Sequence, residues 1–324
     1  MITRTFTLFI ALFVSGIAFG QKADSILKNA AATYYFKRGL PIAEKDSAEF
    51  VRVISTGIDS ASKGLYIVKD YYPNGKLMMT GMSITTAYNL KRQGEFISYY
   101  PNGNIQSTRS YSKDTLKGTQ TYNYPNGRLY HSDFYNTERK RFEIIELRDS
   151  TGKVLTSNGN GTAIMFDRKF KLVLGEGPVV NGIREGEWRG AVNDSVTYVC
   201  LYKDNKGTTG KSFEKSGVVH EFKEAEIQPN YPGGLDKFYT YLSRNIHYPK
   251  IAKKNGVEGK VFLSFIIEKD GTLTNIKVLR GIGSGCDEEA VRALQESPNW
   301  SPGYQYGMAV RVQYNLPVGF ALKE

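Results

Sequence analysis

The chain has 324 residues, of which 40% are hydrophobic and 13% aromatic, with a net charge of +11 and two cysteines. That length and apolar content suit two ordinary domains and exclude a wholly disordered chain, while so few cysteines exclude a disulfide framework as the main source of stability. Most of the positive charge lies ahead of residue 226, as single Lys and Arg residues scattered among strand-like segments, a pattern of edge protection that argues against nucleic acid as a partner.

Arg4 precedes an apolar run, Phe6 to Phe19, that ends in Ala18-Phe19-Gly20, a small-x-small pattern. Residues 1–20 therefore predict a cleavable secretory signal peptide and a periplasmic mature chain. The run is shorter than the roughly 20 residues that span a bilayer. A retained inner-membrane anchor is the alternative. Residues 21–60 predict a helical or loosely ordered lead-in.

From 61 to 220 one piece of grammar recurs. "YYPNGKL" at 71–77 returns as "YYPNGNI" at 99–105 and as "NYPNGRL" at 123–129. In each, a proline (Pro73, Pro101, Pro125) fixes the first central position of a turn, an asparagine (Asn74, Asn102, Asn126) suits the second, and a glycine (Gly75, Gly103, Gly127) takes the left-handed conformation of a bulge. Alternating strands flank them, such as "GEFISYY" at 94–100 and "GTQTYNY" at 118–124. Degenerate copies follow: "RDSTGKVL" at 148–155 keeps the turn without the proline, and "NGIREGEWRG" at 181–190 carries Gly-x-Trp where an earlier copy has Gly-x-Phe. A repeat of 24 to 28 residues whose units bury aromatics only against their neighbours predicts an antiparallel hairpin sheet. Residues 60–210 resemble the MORN-type repeat family, in the Tyr-Pro-Asn-Gly variant also found in antitoxin-like bacterial proteins. That resemblance implies a scaffold for contacts and no catalytic residues.

The grammar changes over 221–234. "GLDKFYTYLSRNI" places Leu235, Phe238 and Leu242 at helical spacing. "GKVFLSFIIEKDGTLTNIKVLRG" predicts two strands joined at Asp270-Gly271, with Val261, Leu263, Phe265 and Ile267 on one face of the first and Ile276 and Val278 on one face of the second. Asp287, Glu288 and Glu289 crowd a helix start, with Ala290, Val291 and Leu294 facing inward. A last strand completes an α+β domain over 226–324.

This order, with Tyr248-Pro249, Gly256, Gly259, "GIGSGCDEEAVRAL", Trp300-x-Pro302-Gly303 and "VRVQYNLPVGFAL", resembles the C-terminal domain family of TonB over 231–322, in the form found in Bacteroidota. The resemblance implies that an extended peptide adds as a strand to the edge of this domain. The residues that correspond are Met308, Val310, Arg311, Val312, Gln313 and Tyr314 within one strand from Met308 to Leu316, together with Arg244, Asn245 and His247 ahead of Tyr248-Pro249. Val310, Val312 and Tyr314 should share one face, with Arg311 and Gln313 on the other.

The resulting fold expectation is two domains: an all-β antiparallel hairpin-repeat sheet (MORN-like), then a small α+β TonB C-terminal domain. The functional expectation is a non-enzymatic periplasmic interaction protein that accepts a TonB-box-like peptide, with an outer-membrane TonB-dependent transporter among its protein partners. An energy transducer that couples an inner-membrane motor to that transport is the alternative. A transducer needs a retained anchor and a Pro-rich spacer, whereas this chain has a folded repeat region and 11 prolines. No cofactor, metal, nucleic acid or small-molecule substrate is expected, and an exposed edge strand would permit a homodimer. Gly281-x-Gly283-x-Gly285 is neither a dinucleotide fingerprint nor a P-loop. The cysteines show no metal-ligand spacing. Cys286 with His247 lacks a third partner for nucleophilic catalysis. Whether Cys200 and Cys286 are bridged stays open.

Overall fold

A computed structural model describes residues 30–57 and 64–322. The signal-peptide expectation at 1–20 lies outside them. Among the described residues no helix is long and apolar enough to cross a membrane. The chain forms two compact units, one holding the described residues up to Ala163 with Val179–Ile183, the other Ile164–Pro178 with everything from Arg184 onward.

The first unit opens with β1 (Ala30–Lys37), β2 (Leu40–Ile42) and β3 (Phe50–Thr56). The helical or loose lead-in expected over 21–60 is thus corrected over its described part. β1 pairs with both β2 and β3, and Phe36 stacks on Phe50 at 4.6 Å, so the aromatic half of Ala-Thr-Tyr-Tyr-Phe overrides its alanines. An antiparallel meander continues through β4 (Tyr66–Tyr71), β5 (Leu77–Ser83), β6 (Arg92–Tyr99), β7 (Ile105–Ser112), β8 (Thr115–Asn123), β9 (Leu129–Asn136), β10 (Arg141–Arg148) and β11 (Val154–Ser157).

The Pro-Asn-Gly turns form as expected, with Pro73, Pro101 and Pro125 exposed at their corners. Gly75, Gly103 and Gly127 have φ of 78°, 98° and 85°, and each donates its N–H to the carbonyl of the tyrosine before proline. Asn74, Asn102 and Asn126 accept, through Oδ1, the N–H two residues on. The tyrosines do more than bury rings. The Tyr72, Tyr100 and Tyr124 hydroxyls donate to the carbonyls of Tyr99, Asn123 and Arg148, each one turn along the stack. The residue after each glycine repeats the step: Lys76, Asn104 and Arg128 donate to Pro101, Pro125 and Ser150 carbonyls. The three prolines are therefore not equivalent, because Pro101 and Pro125 each receive a bond from the turn before, whereas Pro73 stands in the first of the three turns and receives none among the described residues. Gly-x-Phe has an equally local cause. Gly94, Gly118 and Gly186 all have positive φ, and the second residue after each, Phe96, Gln120 or Trp188, is buried.

Strands β12 (Asn160–Phe166), β13 (Val173–Val180) and β14 (Ile183–Arg184) lead to β15 (Gly186–Asn193), β16 (Val196–Lys203), β17 (Lys206–Glu214) and β18 (Val219–Phe222), which form an antiparallel sheet in the second unit. Trp188, Tyr198, Cys200 and Tyr202 line its buried face. β19 (Glu226–Ile227) then pairs with β22 (Gly303–Gln305), which pairs with β23 (Met308–Val310).

The rest of the second unit has its own core. It is built on helices α1 (Leu235–Asn245), α2 (Lys250–Lys254) and α3 (Cys286–Gln295) against the sheet β21 (Leu273–Arg280), β20 (Gly259–Ile267), β24 (Val312–Phe320), in that order. Val261, Leu263, Phe265 and Ile267 are fully buried, as their alternation predicts, and Phe238 and Leu242 seat α1. Leu235 and Val278 are exposed instead. Leu235 is the first residue of α1, ahead of the turn that packs, and Val278 stands on the outer strand β21. Cys200 and Cys286 are both free and buried.

Candidate functional site

Of the expected site residues, the edge strand β24 of the sheet β21, β20, β24 carries Val312, Gln313 and Tyr314, and the structure places the others apart from it. The chain from Met308 to Leu316 is not one strand: Met308 and Val310 belong to β23, Val312 onward to β24, and Arg311 is the break. Arg311 donates from Nε and Nη2 to the Glu268 carboxylate, at 2.6 and 2.8 Å, and this pairing holds Glu268 below the usual carboxylate range. A residue clamped to the end of β20 leaves the chain free to change partners on either side of it. Gln313 donates to Ser264 Oγ at 3.0 Å, and Tyr314 packs its ring 5.4 Å from Trp300 and 5.8 Å from Phe265. Val312 lies against Gly303, where an added Cβ would come within 2.7 Å of its methyl.

β24 pairs with β20 without interruption, from Gly259 opposite Phe320 to Ile267 opposite Val312. Its other edge pairs with no strand among the described residues. Pro317 fixes which groups face that edge. Lacking an N–H, it cannot occupy a position that donates to β20, so its backbone must point outward. Alternation then turns the N–H and C=O groups of Gln313, Asn315 and Gly319 outward with it. The opposite edge differs: β21 has two register shifts against β20, a left-handed Asn275, and Lys277 and Arg280 as charged guards. Beside the end of β24 lies an apolar groove of about 560 Å³, lined by Tyr239 and Leu242 of α1, by Ile246 just after it, and by Val318, Phe320 and Leu322.

Arg244, Asn245 and His247 gather elsewhere. Arg292 of α3 donates to the Asn245 carbonyl at 2.6 Å and contacts His247 Nδ1 at 3.1 Å, while Glu289 accepts the His247 backbone N–H. Arg292 also holds the Glu289 carboxyl below its usual range. Arg244 is exposed at the end of α1. Among the described residues no hydrogen bond or ion pair joins these three to Met308–Tyr314. Sequence reasoning missed Asn315, Pro317 and Gly319 as edge groups, although a proline inside a strand is itself the signal of an edge.

The loop "GIGSGCDEE" carries no anion cradle. Asp287 Oδ1 accepts the N–H groups of Ile282 and Gly283, filling the position a phosphate would take. Burial pushes the Cys286 thiol up, and that of Cys200 up to about 11, the reverse of nucleophile activation. Among the described residues no group of three or more His, Cys, Asp or Glu could hold a metal ion.

Residues 244–322 match the family described as Gram-negative bacterial TonB protein C-terminal, and residues 67–82 and 92–113 match the MORN repeat variant. The chain thus carries a TonB-type C-terminal domain behind MORN-type repeats. Protein TonB from two strains of Helicobacter pylori is 30% identical over 116 and 115 residues, 34% of this chain. The match covers 39% and 40% of those relatives, so the chain spans about two fifths of their length. Two solution structures of the Helicobacter pylori TonB C-terminal domain share 30% identity over 28% of this chain, covering 81% and 95% of theirs, with TM-scores of 0.23 and 0.22.

Proposed function

We propose that this chain is a non-enzymatic protein of the bacterial envelope whose C-terminal domain takes up an extended peptide by strand addition along β24, with the repeats as scaffold. The observation that carries the reading is the uninterrupted β24–β20 ladder, whose opposite edge is unpaired while β21 is bulged and charged. An incoming strand would find the donors of Gln313, Asn315 and Gly319 and the apolar groove beside α1. Pro317 leaves one gap in that row of donors, so the pairing would be firmest on its Gln313–Asn315 side. Arg311, Gln313 and Tyr314 act as supports through Glu268, Ser264 and Trp300, and main-chain groups supply the contact. The partner is a protein with an extended segment, such as the N-terminal segment of an outer-membrane transporter, and the location is the periplasm after removal of residues 1–20.

The test uses synthetic peptides copied from such segments. On binding, the amides of Gln313, Asn315 and Gly319 should become protected from hydrogen exchange, and Asn315→Pro should abolish binding while the domain stays folded. Wild-type affinity in a folded Asn315→Pro variant would sink the reading. A second reading, an energy transducer with residues 6–19 kept as a membrane anchor, draws on the name of both relatives. A native chain that begins at Met1 and resists carbonate extraction from membranes would favour it.

A further inference from the structure

Three arginines of the strands ahead of residue 226 are stacked on aromatic rings and held in place by a side-chain hydrogen bond from Nε, and two of them meet a carboxylate. Arg52 lies 4.9 Å from the Phe36 ring centroid and pairs with Asp70 at 2.8 Å. Arg92 lies 4.0 Å from Tyr111 and pairs with Asp114 at 2.6 Å. The third, Arg184, lies 4.2 Å from Tyr202 and 5.6 Å from Trp188, but its Nε donates to a neutral amide, Asn205 Oδ1, at 2.9 Å. Among the described residues no carboxylate faces it within ion-pair distance and its two terminal nitrogens carry no hydrogen bond.

This unpaired fork lines a cavity of about 360 Å³ in the second unit. Tyr202 and Tyr306 are also in its wall, their hydroxyls 3.2 Å apart, along with the amides of Asn205 and Gln305 and the Lys206 side chain. Glu226 is the one acidic residue of the lining, and it already accepts from Gln228 at 2.9 Å. A guanidinium fixed by two rings and an amide has little further freedom to lose on binding, and its open edge matches a planar carboxylate with two parallel hydrogen bonds.

We propose that this cavity binds a small carboxylate, received by Arg184 with Lys206 as a second cation and the amide and phenol groups as hydrogen-bonding partners for the rest of the ligand. The volume suits a molecule the size of an acidic monosaccharide or a dipeptide terminus. The site is separate from β24 and does not depend on strand addition there.

The experiment titrates the full chain, isotope-labelled in arginine, with D-glucuronate and with N-acetyl-alanyl-alanine, each against its uncharged counterpart, glucose or the peptide methyl ester. Saturable movement of the Arg184 Nε–H resonance by an acid, absent with its counterpart, is the expected result, and which acid acts distinguishes a sugar from a peptide source. Arg184→Gln should weaken binding at least about tenfold, and Arg184→Lys should weaken it too, because an ammonium cannot form the fork. Lys206→Ala, on an exposed side chain, should weaken binding without touching the fold, which keeps the test open if Arg184 variants misfold. Asn315→Pro should leave it unchanged. Equal binding of the uncharged counterparts, no response to either acid, or full affinity in a folded Arg184→Gln variant would overturn the proposal.

Discussion

At the scale of single residues, the tyrosine before each Pro-Asn-Gly joins one repeat to the next by a hydroxyl bond to a specific carbonyl. The turn itself was legible, because proline, asparagine and glycine each dictate a local conformation. The bond was not, because it depends on where the next unit lies. Burial pushes the Tyr72 and Tyr100 phenols up and that of Tyr124 up to about 12. The folded chain thus favours the neutral phenol. Its contribution is complete below the ordinary tyrosine value of 10.0 and is lost as pH rises toward about 12. Tyr100→Phe should cost about 1 kcal/mol in denaturant unfolding at neutral pH. Tyr124→Phe should cost a similar amount and flatten the alkaline loss of circular dichroism relative to wild type, because one ionisation that drives unfolding is removed. An unchanged alkaline profile in Tyr124→Phe would contradict the linkage.

At the scale of elements, strand existence was legible from alternation, and strand partnership was not. Residues 310–316 alternate without interruption, so nothing in the pattern marks Arg311 as the point where pairing passes from β22 to β20. The break is made by a tertiary ion pair to Glu268, which lies 43 residues away. β1 to β3 were illegible for a related reason: an Ala-rich start mimics a helix until its aromatics find cross-strand partners. The ladder of β24 yields a sharp contrast between two prolines. Val312 faces β20 and Asn315 faces outward, by the alternation that Pro317 fixes. Val312→Pro should therefore cost about 3 kcal/mol in equilibrium unfolding, having lost an inward ladder bond, whereas Asn315→Pro should shift the unfolding midpoint little. Equal destabilisation by both would mean that the outward register is assigned wrongly.

At the scale of the whole molecule, composition changes at residue 226 but packing does not stop there. The tip between β22 and β23 plugs into the sheet of β15 to β18. Tyr306 stacks on Tyr198 at 3.9 Å and 13°, its carbonyl accepts from Ser212 Oγ at 2.8 Å, and its N–H donates to the Ala225 carbonyl at 2.7 Å. Burial pushes its phenol far above the usual tyrosine range. Sequence reading could not find this socket, since Tyr198 and Ser212 lie 94 residues or more from the ring they receive. The core beneath α1 to α3 is nevertheless self-contained, with every member between Tyr231 and Phe320. A fragment of residues 226–324 should therefore fold, yet leave Tyr306 without its socket. Tyr306→Ala should cost roughly 3 kcal/mol in the full chain, as loss of a packed aromatic does, and less than about 1 kcal/mol in the fragment, where the ring has only water to lose. The comparison, made by denaturant unfolding followed by circular dichroism in both contexts, isolates the socket from any effect on the β22–β23 hairpin itself. If the substitution costs the same in both, the ring supports only its own hairpin, and the C-terminal domain is tethered to the last repeats, not seated in them.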